Sequence, residues 1–444
     1  MASLNTCVLE SNTRTKINFD GGDLSSDAGL LLLNEFLYKI GATDLIKKLF
    51  KTNDTTSCRI HKDPDNLLQV LFQIFGAYFE DDLADELRTD PVLTEVLGKD
   101  ALASQPTLSR FFNRMDEDTL DQFSAIQREI RKIVYSIDKP EQALLDLDST
   151  LLDTYGKQEG AAFNFHYSAN GYHPLVCYDG MTGDLLKAEL RNGSMYCGKD
   201  SGAFMEPLLT ELREDYPGIK LLFRADSGFA TPELYEVLEE HDCQYAIRLK
   251  QNVSLINLAA EKDEALTHAV NHRQDMVSRA CEYGEFMYQA KGWSHPRRVV
   301  FQIEKPYGQF IHNYTFIVTT FETLRPDQVM RFYRDRGRME NFIKESKNGF
   351  DFCSVSSSSK MVNANRLQIH ALAYNLFNYF KRLVLPKEMR HLQADTIRIK
   401  LLKVAARIIR SARYKVFKLC SSFPYQKEFM ETLHNIRRLR PQLA

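Results

Sequence analysis

Tyr333, Arg336, Glu340 and Lys347 stand three, four and seven residues apart in the stretch YRDRGRMENFIKESK. On an α-helix, at about 100° per residue, these side chains fall within about 60° of one another, and Lys344 joins them. Phe332, Met339, Phe342 and Ile343 occupy the neighbouring arc, so the polar stripe borders the core face of the expected helix. A carboxylate flanked by cations at such an edge can hold a divalent metal ion while Arg and Lys meet phosphate oxygens. The same spacing also suits a salt-bridged, solvated helix face. The acidic residues upstream therefore decide between the two.

Two acidic signals precede it, each at the end of a run that reads as a buried strand. In QALLDLDST, residues 142–150, alternation puts Leu144, Asp146 and Asp148 on one face, with Asp148 at the C-terminal end. In IKLLFRADSGF, residues 219–229, an apolar run delivers Asp226 into a Ser-Gly turn. Carboxylates at the C-terminal ends of adjacent strands converge on one sheet edge, where open α/β sheets gather ligands. An aspartate ending a strand is also a common turn former or helix cap. Three carboxylates, Asp148, Asp226 and Glu340, would supply hard oxygen ligands suited to magnesium or manganese.

The ordered set DLDST, RADSGFA and YRDRGRMENFIKESK resembles the Asp, Asp, Glu triad of bacterial insertion-sequence transposases, in the branch with a Tyr-Arg-Glu-Lys signature, the IS-four superfamily. The flanks, with PTLSRF at residues 106–111 and the basic tail KLLKVAARIIRSAR, are similar to its IS-thirteen-eighty family. The resemblance implies that Asp148, Asp226 and Glu340 bind metal and catalyse, with Asp146 and Asp153 as rivals for the first position. Asp148 is preferred because Ser149 and Thr150 follow it, as a small residue and Thr follow the family's first Asp. It implies that Tyr333, Arg336 and Lys347 contact phosphates of the element's ends, with Lys344 beside them. Two divalent ions per site, Mg2+ with Mn2+ able to substitute, would serve nicking, release of the element through a hairpin, and attack of the freed 3′-hydroxyl on target DNA. The implied function is cut-and-paste transposition by a homodimer on double-stranded DNA. A nuclease without strand transfer, or a non-catalytic DNA-binding protein of transposase descent, are the alternatives.

The chain of 444 residues is long enough for two to four domains, and 44% hydrophobic content suffices for a sizeable core. Eight cysteines without a CxxC pair read as neither zinc site nor disulfide framework and point to a reducing cytosol; the resemblance implies a bacterial cytoplasm, at the nucleoid when on DNA. No apolar run of membrane-spanning length occurs. No Gly-rich phosphate loop occurs either, so no nucleotide cofactor is expected. The net charge of −2 conceals an asymmetry: from Lys381 onward 16 Lys and Arg face 4 Asp and Glu. That tail is the expected electrostatic DNA contact, with Lys400, Lys403, Arg407 and Arg410 at helical spacing. A solvated amphipathic helix is its alternative.

The elements that must position these residues follow from changes of period. Residues 1–139 read as an N-terminal helical, DNA-binding domain. Within it SQPTLSRFFNRM, residues 104–115, suits the second helix of a helix-turn-helix, with Arg110 facing out, or an ordinary capped helix. Residues 140–250 alternate strands with helices, giving an α/β fold whose order matches a ribonuclease-H-like core. Residues 251–322 read as a β-rich insertion holding the only tryptophan, Trp293, which either stacks an unpaired base or packs in a small sheet. Residues 323–384 complete the core with one long helix over residues 326–347 that carries Glu340. Residues 385–444 form a basic C-terminal helical region for DNA or dimer contacts.

Overall fold

The computed structural model describes residues 6–56, 58–272, 279–309 and 311–442. The chain divides into two compact units, one of residues 1–138, 345–352 and 361–444, the other of residues 139–344 and 353–360.

The second unit is built on one eight-stranded sheet. Its strands are β1 (Gln142–Ser149), β2 (Leu175–Asp179), β3 (Leu185–Glu189), β4 (Lys220–Ala225), β5 (Gln244–Leu249), β6 (Ala280–Tyr288), β7 (Arg297–Lys305) and β8 (Asn313–Thr319). Their order is β6-β7-β8-β5-β4-β1-β2-β3, with β4 parallel to both β1 and β5 and every other pair antiparallel. The two runs read as buried strands, residues 142–150 and 219–229, are the strands β1 and β4. The three strands expected to form a separate insertion instead extend this sheet, because β8 pairs with β5. Their apolar positions find a ready edge there, which a free-standing three-stranded sheet would leave unpaired.

Both faces of the sheet are covered. On one, α1 (Ser201–Asp215) and α2 (Pro232–Glu240) pack with Leu145, Leu147, Phe223 and Ala225. On the other, α3 (Pro326–Arg334) packs Val329, Met330, Phe332 and Tyr333 against Leu144, Leu222, Val300 and Ile317. Strands buried on both faces need nearly continuous apolar runs, which QALLDL and KLLFRA supply.

The long helix expected over residues 326–347 is two helices. After α3, Asp335 and Arg336 form a turn, and α4 (Gly337–Phe350) begins anew. Across the junction Arg336 N bonds Tyr333 O, and Met339 N bonds Arg336 O, the three-residue spacing of a tightened turn. Gly337 has low helix propensity and favours the break.

In the first unit α5 (Lys360–Val384) is buried along most of its length, although its buried positions include Asn363, Asn365, Arg366, Gln368, His370 and Asn375. Expected as part of the α/β core, it belongs instead to the unit of the N-terminal helices from residue 361. Among those helices, Gln105–Phe112 buries Leu108, Phe111 and Phe112 and leaves Arg110 exposed, while Arg114 pairs with Asp63 at 2.9 Å. The basic C-terminal segment is not one helix. A single turn at Arg398–Leu402 gives way to a hairpin of β9 (Ala406–Arg410) and β10 (Lys415–Leu419), and β9 also pairs with the short strand Leu24–Ser25. Helix Gln426–Arg438 follows. No helix among the described residues is long and apolar enough to cross a membrane.

Candidate active site

Asp148 and Asp226 come together because of the parallel register of β1 and β4. Arg224 lies opposite Asp146 and Ala225 opposite Leu147, so one step further the two aspartates leave neighbouring strands at the same level. Asp226 caps the turn Ser227–Phe229, accepting from Gly228 N at 2.8 Å through one oxygen. Asp148 accepts from Ser149 N at 2.9 Å. Both strand ends point toward the face covered by α3, where the turn after α3 places Arg336. Its Nη2 meets Asp148 Oδ2 at 2.8 Å.

The electrostatics tie the third carboxylate to this pair. Burial pushes the Asp148 carboxyl up, the Arg336 guanidinium pulls it down, and the charges of Asp226 and Glu340 raise it again. Arg336 loses basicity through burial, yet Asp148, Tyr333, Asp226 and Asp146 more than restore it, so its pKa is raised overall. Tyr333 is raised by burial, opposed by Arg336 and Arg248. Four residues singled out from sequence, Asp148, Asp226, Glu340 and Arg336, thus share one field, with Tyr333 at its edge. Glu340 and Lys344 are exposed on α4. Lys347, three residues on, falls in the portion of α4 that belongs to the first unit.

The rival aspartates are differently placed. Asp146 is fully buried and held by both arms of Arg224, Nε to Oδ1 and Nη2 to Oδ2, each at 2.7 Å. The third nitrogen of Arg224 donates to Phe332 O at 2.7 Å, and its guanidinium lies over the Phe332 ring. Gly180 closes the space: a Cβ there would overlap Asp146 Oδ2. Asp153 is exposed on a small sheet formed with Ala162–Asn164 and Ala169–Tyr172.

Residues not anticipated from sequence line the same edge. The Tyr167 hydroxyl donates to Ser149 O at 3.2 Å, and burial and then Asp148 push its pKa up to about 12. Cys197 and Tyr196 both feel the charge of Asp226, after burial as the main cause of their raised pKa values. The loop bearing them packs on the Ser227–Phe229 turn so closely that a Cβ on Gly228 would overlap Cys197 Sγ. Arg191 shapes that loop, its Nη1 donating to the carbonyls of Tyr196, Cys197 and Lys199. Nothing in the local spacing of Tyr167 or Cys197 announces them. Arg224 does carry a signal, since a charge inside an apolar strand run requires a buried partner.

Trp293 takes the packing alternative. It is 9% exposed, with its ring edge-on to Tyr235 and Tyr288 and beside the Arg297 guanidinium. Lys403 is engaged within the first unit, with Nζ 2.6 Å from Asp27 Oδ1 and 3.0 Å from the Tyr78 hydroxyl. Lys400 lies over the Tyr425 ring, whereas Arg407 and Arg410 are exposed on β9.

The donor set fits a hard divalent cation in kind. The second oxygen of Asp226 and the exposed Glu340 carboxylate accept no hydrogen bond from the described residues, and Asp148 is raised first by burial and then by the charges of Asp226 and Glu340, which a cation would offset. These side chains are not drawn into a coordination shell: among the described residues no three His, Cys, Asp or Glu groups sit close enough to hold an ion. Arg336 is the cation nearest Asp148 instead.

A family model described as transposase DDE domain group 1 matches residues 8–441. No curated protein sequence matches. Among solved structures, the chain is similar to one in a cryo-EM structure of a piggyBac transposase synaptic complex with hairpin DNA. The two share 14% identity over 80% of this chain and 76% of the other, with a TM-score of 0.39.

Proposed function

The chain belongs to the DDE transposases, in the family described as transposase DDE domain group 1, and from that premise we propose that it moves an insertion sequence by cut-and-paste transposition, with Asp148, Asp226 and Glu340 as the catalytic triad. The observation that carries this reading is the parallel register that brings Asp148 and Asp226 to the same level at the ends of β1 and β4, with Arg336 paired to Asp148 and the charge of Glu340 felt at Asp148. The strand order supports a ribonuclease-H-like core: three antiparallel strands β1 to β3, then β4 and β5 added parallel on the other side of β1. The acids leave neighbouring strands and a following helix, as that fold requires.

Asp148, Asp226 and Glu340 would hold divalent magnesium, which supplies polarisation of the scissile phosphate and neutralisation of its developing charge. The chain's own cations do the remaining positioning. Arg336 offers a planar, buried donor fork to a phosphate oxygen beside Asp148, and Lys344 offers a mobile point charge one turn along α4 from Glu340. Tyr333, kept neutral by its raised pKa, donates a hydrogen bond without adding charge. In the first unit, Lys347, Arg407, Arg410, Arg110 and Lys400 would offer phosphate contacts of their own to double-stranded DNA. A homodimer would hold the paired ends, in the cytoplasm.

The test is metal-dependent chemistry on DNA bearing the element's terminal repeats, wild type against Glu340→Gln, resolved on a denaturing gel. The reading expects nicks, hairpins and strand-transfer products from wild type, and binding without chemistry from the variant. Cleavage without joining by wild type would make the protein a nuclease. Cleavage that survives in Glu340→Gln would move the third carboxylate elsewhere.

A further inference from the structure

The hairpin of β9 and β10 carries five cations, Arg407, Arg410, Arg413, Lys415 and Lys418, and no acidic residue from Ala406 to Leu419. The register sets like charges directly opposite one another twice, Arg407 across from Lys418 and Arg410 across from Lys415. Such pairs oppose strand pairing. Lys415 finds relief in an ion pair with Glu95, but Arg407, Arg410, Arg413 and Lys418 have no acidic partner among the described residues. Repulsion of this kind, built into an exposed ribbon, is relieved when a polyanion lies along it.

The alternation of the ribbon says more than its charge. Arg407 and Lys418 share a face with Ile409 and Val416, both substantially exposed, while Ala406, Ile408, Phe417 and Leu419 turn to the other face. The tip, closed by Ser411 N donating to Tyr414 O at 2.9 Å, presents Arg413 and a Tyr414 side chain that is 71% exposed. Basic residues flanking β-branched apolar ones suit a duplex major groove, which admits a two-stranded ribbon and offers thymine methyl groups between its walls of phosphate. Resting on the DNA reading above, we propose that the hairpin Ala406–Leu419 lies in the major groove of duplex DNA, with Arg407, Arg413 and Lys418 on phosphates and Ile409, Val416 and Tyr414 toward the bases.

Basic residues also protect exposed strand edges from pairing with other chains, and β10 is such an edge. That role needs charge of either sign, so sign reversal separates the two. The full chain is titrated against a duplex several turns long carrying the terminal repeat, over a range of salt concentrations. Neutralising Arg407, Arg413 and Lys418 to Gln removes three phosphate contacts, each worth about 0.9 in the logarithmic salt slope. The variant's affinity should therefore fall about 40-fold less than that of wild type between about 50 and 200 mM salt. Its thermal midpoint should be unchanged or higher, because a repulsive pair is gone. Lys418→Glu with Arg413→Glu should abolish the tight binding, and guanine N7 should be protected from methylation by wild type alone. Wild-type binding retained by the Glu variant would overturn the proposal in favour of edge protection. Loss of affinity with no N7 protection by wild type would overturn the groove placement. Failure of wild type to bind or cut terminal-repeat DNA would instead sink the transposase reading on which this rests.

Discussion

Replacing Arg224 by Met tests whether the buried Asp146–Arg224 pair holds in place the sheet edge that bears Asp148 and Asp226. The pair is 0% and 1% exposed and bidentate at 2.7 Å, with a third bond from Arg224 to Phe332 O. Met fills much of the volume but leaves Asp146 a buried, unpaired charge, which costs about 3–5 kcal/mol. A second route bounds the same number. Asp146 can escape by binding a proton, and at pH 7 that costs an ordinary carboxyl about 4 kcal/mol. Trp293, the only tryptophan, is buried in the same unit, so its fluorescence during urea unfolding reports on the relevant structure. Arg224→Met should unfold about 4 kcal/mol more easily at pH 7, and the deficit should shrink as pH falls toward 4, where protonating Asp146 is nearly free. Adding Asp146→Leu should restore most of the loss, since an apolar pair replaces a buried ion pair without penalty. The double variant should nevertheless remain slow in DNA cleavage, because the tether to the Phe332 carbonyl that precedes Tyr333 and Arg336 is still missing. A single variant within about 1 kcal/mol of wild type, or a double variant no more stable than the single, would refute the reasoning.

Asp179 gives a pH signature of its own. Burial first, then the neighbouring Asp184, push its pKa up to about 6. The folded state therefore holds this proton more tightly than the unfolded chain, whose carboxyl titrates near 3.9. Its contribution is favourable below about pH 4 and is lost as pH rises through 6, a swing of about 3 kcal/mol. Asp179→Asn should flatten urea stability across that window; an unchanged pH profile would show that Asp179 does not titrate there. Trp293→Ala should cost about 3–5 kcal/mol by circular dichroism while leaving DNA affinity unchanged. Weakened DNA binding at full stability would return Trp293 to the DNA surface.

Much of the second unit was legible because its signals are local. A buried strand announces itself by an apolar run and ends at a polar residue, so β1 and β4 could be found with the aspartates that end them. What failed depended on distant partners. In KLLKVAARIIR the spacing of Lys400, Lys403, Arg407 and Arg410 fits a helix, and the only local hint of a strand is the β-branched pair Ile408 and Ile409. The strand Leu24–Ser25, far away in sequence, pairs with β9 and settles the segment as β. The same holds for the strands after β5, whose alternation was evident while their membership of the main sheet was not. In YRDRGRMENF the helical spacing held on either side of Gly337, but the break that sets Arg336 apart lay in one residue of low propensity. Lys403 looked free because Asp27 and Tyr78, its partners, are more than 300 residues upstream.

Asp146 and Asp148 share a strand and a face, and their neighbours give them opposite work. Asp146 faces Arg224 across the parallel register, with every oxygen occupied and no space left by Gly180. A carboxylate so satisfied has no lone pair to spare for a ligand, and its charge is already balanced. Two residues on, the strand ends, and the residue across from Asp148 is another carboxylate, with Glu340 adding a third charge. One guanidinium, Arg336, cannot balance three carboxylates, so this edge stores a repulsion that burial makes worse. Stability alone would favour an apolar residue at Asp148. The cluster makes physical sense as a place that attracts a cation, and the Asp146–Arg224–Phe332 tether holds it ready without entering it.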